Sequence, residues 1–509
     1  MAGPSFVLRR IELEGNRAVP TSEVEPIWVH LLGTPVDVAT LEDVAARLSA
    51  AYRARGFVLS QVVLPAQTIA DGVVRFVAIE GFIDHLEVQG GSPSAQRAAG
   101  VLFAPTAAER PLRLQTLERS VLLSRDILGG QVETALAPSS GTFGAADLIA
   151  TLTPQPFQGF VSVDNRAGRL LGPWTVRVGG SLYGQLGLNE RIDLQVAATP
   201  DGQQLRFGQA LVALPLMGSS WPWDGTVLEV GGDVTRAEPI LARAGLSDFT
   251  TVTDENQFRA VLVVPLIRTR PENLYARLGF TWRDVTSESV FAGVNLGESI
   301  DNLRVATFRL SWDFVDRLDG VMLFDGGFRK GIDALGATIG QSGLAAPNPD
   351  FLLLFGYVSR LQALGQGPWS VFSEAIAQWT DDPLPSSERF AVGGPLFGRG
   401  YAPGNTTGDS GFGGRLELRR SFIDMIPETL PLALQAYVFG DWGAAIDRSI
   451  YRDGQQWETL ASMGAGVRMD ITQRVSINPE IAFHIAGRPA DTARGERGAR
   501  FLIGAVVRW

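Results

Sequence analysis

Leu274-Tyr275-Ala276-Arg277-Leu278-Gly279-Phe280-Thr281-Trp282-Arg283 sorts its residues strictly by twos. In an extended chain Leu274, Ala276, Leu278, Phe280 and Trp282 share one face, and Tyr275, Arg277, Gly279, Thr281 and Arg283 share the other. The dyad recurs: Trp174, Val176, Val178 and Leu182 alternate with Thr175, Arg177, Gly179, Ser181 and Tyr183, and Ala306, Phe308, Leu310, Trp312 and Phe314 with Val305, Thr307, Arg309, Ser311 and Asp313. Arginines are costly in a dry core and rows of aromatics are costly in water. A transmembrane β-barrel, with lipid outside and an aqueous lumen, suits both faces. The competing reading is a soluble β-sandwich or propeller with one wet face per strand, and length favours the barrel. The roughly 350 residues after Phe157, at about 22 per strand and connection, make about sixteen antiparallel strands, an even number. The closing segment puts Phe501, Ile503, Ala505, Val507 and Trp509 on one face and ends on an aromatic residue.

Composition agrees with this. At 509 residues the chain exceeds one ordinary compact domain, and with 58 glycines, 19% charged side chains and a mean hydropathy of +0.10 it is not disordered. It has no cysteine, which excludes a disulfide scaffold, a Cys-ligated metal and a Cys nucleophile, and suits a chain that crosses an oxidising compartment unfolded. A net charge of −10 disfavours nucleic acid as a partner. No window of 18 apolar residues is present, so a membrane helix is not expected, and Met1 to Phe6 do not read as a leader.

Before Phe157 the period is different. Phe6 to Glu14 reads as a strand, and Thr40 to Arg55 as an amphipathic helix with Leu41, Val44, Ala45, Leu48 and Tyr52 on one face. Thr40 and Asp43 resemble a capping box, and Gly56 a helix stop. Strands follow at Val58 to Leu64 and Val73 to Ile79, with a turn at Asp71-Gly72. After about 75 residues the same order returns: a strand at Ile83 to Val88, helical stretches at Ala95 to Phe103 and Leu112 to Leu128, then strands at Gln131 to Leu136 and Asp147 to Leu152. The expected domains are two βααββ modules, 1–81 and 82–155, and a barrel, 156–509.

Catalytic chemistry has little to stand on. His30, His85 and His484 are far apart and lack metal spacing. Gly408-Asp409-Ser410-Gly411 matches the nucleophile loop of trypsin-like proteases, but no histidine stands in the context that family needs. No glycine-rich stretch opens a helix after a strand, so no nucleotide loop, metal or other cofactor is expected. What remains is Arg389 to Tyr401 (RFAVGGPLFGRGY) with its polar, glycine-rich continuation to Gly414, and Phe439-Gly440-Asp441-Trp442-Gly443. Counting by twos from Gln435 turns Tyr437, Phe439 and Asp441 inward. An inward carboxylate in a partly dry lumen favours a cation, and Arg399 is the obvious candidate.

These residues resemble the transporters of two-partner secretion, the TpsB family of ShlB/FhaC-like haemolysin secretion and activation proteins, in the superfamily that includes BamA. Leu48 to Val58 resembles the helix-to-strand segment of the family's first POTRA domain. Leu64-Pro65-Ala66-Gln67, Asp71-Gly72 and Ile79-Glu80-Gly81 match its L-P-x-Q, D-G and I-E-G landmarks. Arg399-Gly400-Tyr401 resembles the loop motif V-R-G-Y/F that folds into the barrel (loop about 389–414), and Phe439, Asp441 and Gly443 the wall motif F-x-D-x-G. Phe501 and Trp509 resemble the C-terminal barrel signal. Gly398 departs from the family's usual Val, a change expected to loosen the loop's packing while sparing the arginine.

The resemblance implies that Arg399 pairs with Asp441. It also implies a non-enzymatic exporter in the outer membrane of a Gram-negative bacterium, with its POTRA domains in the periplasm. Its implied partners are one unfolded, TpsA-like exoprotein, outer-membrane lipids and the barrel assembly machinery that inserts it. Family members often begin with a plug helix, for which this sequence shows no counterpart. The rival reading is a BamA/TamA-like assembly factor, which usually carries three to five POTRA domains. A diffusion porin lacks the front half, and a soluble all-β enzyme lacks visible catalytic residues.

Overall fold

The computed structural model describes residues 5–244, 246–340, 347–422, 432–447, 457–488 and 498–509. Sixteen antiparallel strands close into a barrel, from Phe157–Asp164 round to Ala499–Arg508. The seam runs from Gly504↔Asp164 to Arg508↔Phe160 and is extended by reciprocal backbone bonds between Gly159 and Trp509. The faces sort as alternation requires: Leu278, Trp282, Leu310 and Trp312 are exposed outward, while Arg277 and Arg309 point into the lumen, bonding Ser311 and Asp325. On the last strand Phe501, Val507 and Trp509 are likewise exposed outward.

Three consecutive strands, Phe249–Arg268, Glu272–Phe291 and Val294–Val315, have 20, 20 and 22 residues, about twice the length a membrane crossing needs. Beyond Trp282 their outward face turns polar at Asp284, Thr286 and Glu288, so the excess stands in water past one rim. On strand Val475–Ala486 a proline interrupts the ladder. Pairing with Glu458–Asp470 jumps from Gly466↔Glu480 to Met469↔Ile477, because Pro479 has no N–H to give.

The front half forms two α+β units. The first sheet has the order Arg10–Glu14, Val73–Ile79, Gln61–Val63, and helix Val38–Ala54 packs Leu41, Val44, Leu48 and Tyr52 onto it. The second has the order Phe82–Gly90, Ala145–Pro154, Gly130–Pro138, under helices Pro93–Ala108 and Leu114–Leu128. In each, the strand nearest the C-terminus of the unit lies in the middle, parallel to the first and antiparallel to the other.

Several sequence expectations shift. Asp37, not Thr40, caps the long helix: its carboxylate accepts from the Thr40 N–H (2.9 Å) and hydroxyl (2.6 Å), bonds that hold it below the usual carboxylate range. The strand expected at Val58 to Leu64 shrinks to Gln61–Val63, and that expected at Phe6 to Glu14 breaks into Phe6–Val7 and Arg10–Glu14. The family landmarks acquire causes. Gln67 uses its side-chain amide as an extra strand, bonding the N–H and C=O of Arg75 at 2.9 and 2.7 Å. Glu80 joins two elements by accepting from the Ala18 N–H (2.6 Å) and the buried Tyr52 hydroxyl (3.0 Å); burial, then that bond, raises the phenol's pKa.

The second unit sits against the near rim. Leu123 and Ile127 pack with Val227, and Gly225 leaves room for Leu123, whose Cδ2 would lie 2.4 Å from a Cβ there. Arg119 bonds Asp224 at 2.8 Å and the Pro265 carbonyl at 2.9 Å, while Arg268 takes Asp126 in a two-pronged contact at 2.7 and 2.8 Å. Since strands alternate in direction from Phe157, the connection between Trp369–Trp379 and Ser410–Ser421 belongs to the far rim.

Candidate functional site

That far-rim connection turns inward. Its stem is a short hairpin, Phe390–Val392 paired with Thr406–Gly408. Its tip is folded by glycines: Gly393 and Gly394 have φ of 107° and 93°, and Gly398 has 84°. The Gly398 carbonyl accepts from the Tyr401 N–H at 2.8 Å and the Gly394 N–H at 3.3 Å. A β-branched residue at that φ would be strained. The glycine therefore tightens the turn before Arg399 rather than loosening the loop.

The wall makes space for the tip. A Cβ at Gly443 would lie 2.6 Å from Val392, and one at Gly413 3.0 Å from Phe397, so these small positions form a slot for loop side chains. Arg399 lies at the bottom of it, 2% exposed. Its Nε donates to Asp441 Oδ2 at 2.9 Å, and its Nη1 donates to Glu417 at 3.1 Å and Glu480 at 2.8 Å. The guanidinium carbon stands 3.3 Å from the Phe439 ring centroid, a cation–π contact. Ser462 donates to Asp441 and accepts from the Gly400 N–H at 3.2 Å. Tyr401 is fully buried, edge-on to His484 at 4.5 Å, with its hydroxyl on the Ala486 carbonyl.

Three buried carboxylates around one arginine need further cations. Glu417 is also held by Arg419 (2.7 Å) and Arg468 (2.9 Å), and Glu480 by Arg166 (3.4 Å) and the Tyr437 hydroxyl (2.6 Å). The cluster thus joins four successive wall strands, Ser410–Ser421 to Val475–Ala486, and the first barrel strand's connection to the loop tip. Such an arrangement fixes a loop in place.

Of the residues expected from sequence, Arg399, Gly400, Tyr401, Phe439, Asp441 and Gly443 come together here, while Phe501 and Trp509 lie on the outer face, away from the loop. Glu417, Glu480, Ser462 and His484 were not anticipated here, and Tyr437 was expected on the inward face without its bond to Glu480. One signal was available: Arg415-Leu416-Glu417-Leu418-Arg419 alternates charge and leucine, which places all three charges on the lumen face. Gly408 to Gly411 is structural: Asp409 accepts from the Leu384 N–H at 2.9 Å, and the Ser410 hydroxyl bonds the Thr380 carbonyl at 3.0 Å.

Known proteins resemble this chain. The profile described as "POTRA domain, ShlB-type" matches residues 6–81, and "Haemolysin secretion/activation protein ShlB/FhaC/HecB" matches residues 147–469, more than half of the chain. The heme/hemopexin transporter protein HuxB of Haemophilus influenzae is 23% identical over 496 residues, 94% of this chain and 84% of the relative. The hemolysin transporter protein ShlB of Serratia marcescens is 22% identical over 470 residues, 89% of this chain and 78% of the relative. The solved structure of CdiB from Escherichia coli matches with a TM-score of 0.77 at 19% identity, covering all of this chain and 91% of that one. The barrel therefore lies in the outer membrane with its POTRA domains in the periplasm, and the chain belongs to the ShlB/FhaC/HecB family of haemolysin secretion/activation proteins, transporters that secrete a partner exoprotein through the barrel.

Proposed function

We propose that this transporter takes an unfolded exoprotein onto its POTRA domains and passes it outward beside a loop pinned by Arg399. The division is 1–81 and 82–155 for the two POTRA domains and 156–509 for the barrel with its inward loop. Strands Gln61–Val63 and Gly130–Pro138 are edges of their sheets, and an extended segment can add to such an edge through backbone bonds without strict sequence demands. The lumen then offers alternating charges and amides instead of apolar surface, and folding outside the cell biases movement outward. Phe501 and Trp509 mark the last strand for the barrel assembly machinery, and the aromatic outer faces contact lipid.

The observation that carries this reading is the Arg399 cluster, which holds a far-rim loop deep against the wall. Arg399→Ala is expected to abolish secretion of the partner while the barrel still inserts. Secretion assayed beside heat-modifiable gel mobility of the purified outer membrane tests this. Normal export by a correctly inserted Arg399→Ala protein would overturn it.

A further inference from the structure

The loop is held at a second place, on another sector of the barrel wall, by a residue that none of the motifs includes. Glu388 stands at the entry to the stem and is almost completely buried, although it is charged and belongs to a connection. Its Oε1 accepts from Arg283 Nη1 at 2.7 Å and its Oε2 from Arg329 Nη1 at 2.9 Å. These arginines sit on strands Glu272–Phe291 and Val321–Gly331, six and four strands round the sixteen-strand barrel from the strand of Asp441. Arg283 also donates to the Ser387 carbonyl at 3.3 Å, and Gln378 to the Glu388 carbonyl at 2.9 Å. The neighbours Trp282 and Trp379 are exposed outward, so this contact lies at the level of the outer aromatic girdle.

The two attachments are built differently. At the tip one cation is enclosed by three carboxylates and a ring, with both partners at most 2% exposed. At the stem one carboxylate is shared by two arginines, and Arg329 is 43% exposed. Water reaches the stem contact and competes for its charges, whereas the tip contact is dry. A loop tied at two places bridges the arc of wall between them, and parting either tie frees that end of the loop to move out of the lumen. We propose that Glu388, gripped by Arg283 and Arg329, is the releasable clasp that closes the outer mouth of the pore, while the Arg399 cluster is the anchor that stays shut. This rests on the reading that the loop shapes the export path. Glu388 is a positioning residue: it acts by setting where the stem lies.

The test uses full-length protein in planar lipid bilayers. Glu388→Gln is expected to raise the ratio of open to closed time at least about tenfold, the scale of a lost charge-assisted hydrogen bond. Arg329→Gln, which leaves Arg283 in place, is expected to give a smaller rise, and it serves as the second variant should Glu388→Gln fail to assemble. Because the chain has no native cysteine, Glu388→Cys with Arg329→Cys can be joined selectively by a short bis-maleimide. The joined protein is expected to stop exporting. Unchanged gating in both glutamine variants, or normal export by the joined protein, overturns the clasp. If Arg399→Ala still alters conductance or export in that case, the loop reading survives and only the clasp falls.

Discussion

Leu48 and Leu278 put the same side chain to opposite uses. Leu48 is fully buried in the first POTRA domain, whereas Leu278 is 55% exposed on the outside of the barrel, where lipid covers it. In the POTRA domains apolar residues point inward and charges outward, the usual arrangement in water. In the barrel the order is inverted, and the interior holds Arg399, Glu417, Asp441 and Glu480 in contact. The inversion shows that an interior is defined by its solvent. Where lipid takes the outside, the lumen becomes the place where charge can be arranged, and in this chain that charge holds a loop.

The contrast can be broken most severely at Asp441 and its neighbour. Asp441→Ala leaves Arg399 buried with the partner of its Nε gone, a change of about 3–5 kcal/mol in loop attachment, and export is expected to fall to background. Trp442→Leu, one residue on but facing lipid, is expected to keep export, as a secretion assay of the pair would show. Next comes Leu48→Ala, which empties a dry core and is expected to cost about 2–5 kcal/mol in urea unfolding of the POTRA domains. The barrel's resistance to detergent at room temperature is expected to persist in that variant. Leu278→Arg places charge in lipid and is expected to cost about 2–4 kcal/mol of barrel stability, whereas Thr281→Arg, facing the lumen, is expected to cost much less when refolded into the same bilayers. The smallest effect belongs to the partly exposed Arg268–Asp126 pair between barrel and second POTRA domain. Arg268→Ala is expected to change stability by less than about 1 kcal/mol, and that contribution shrinks further in high salt.

The inversion also decides what could be read from the sequence. Alternation such as that of Leu274 to Arg283 carries the barrel, because each strand meets two solvents and the period of two records both. Parity likewise turned Asp441 inward and made Arg399 its expected partner, and the two lie 2.9 Å apart. Glu480 escaped for another reason: Ser476, Asn478, Glu480 and His484 alternate cleanly with Val475, Ile477, Ile481 and Phe483, so parity turns it inward, but nothing in the sequence says which inward carboxylate meets Arg399. Glu388 escaped because a connection has no period at all, and only the closed barrel brings Arg283 and Arg329 to it. Asp37 escaped for a local reason: Thr40 satisfies the capping pattern in sequence, but its N–H and hydroxyl both donate to the residue three positions earlier.

The central claim is that the partner passes through the lumen, past residues that parity turns inward. Leu194 and Gln195 are neighbours on strand Arg191–Ala198, Leu194 exposed outward and Gln195 facing the lumen. With no native cysteine to interfere, Leu194→Cys and Gln195→Cys can each be paired with a partner exoprotein that carries scattered cysteines and is stalled by a folded domain fused to its C-terminus. The account predicts disulfide adducts with the stalled partner at position 195 and none at 194. Adducts at 194, or none at 195 while the partner is stalled across the membrane, would contradict it.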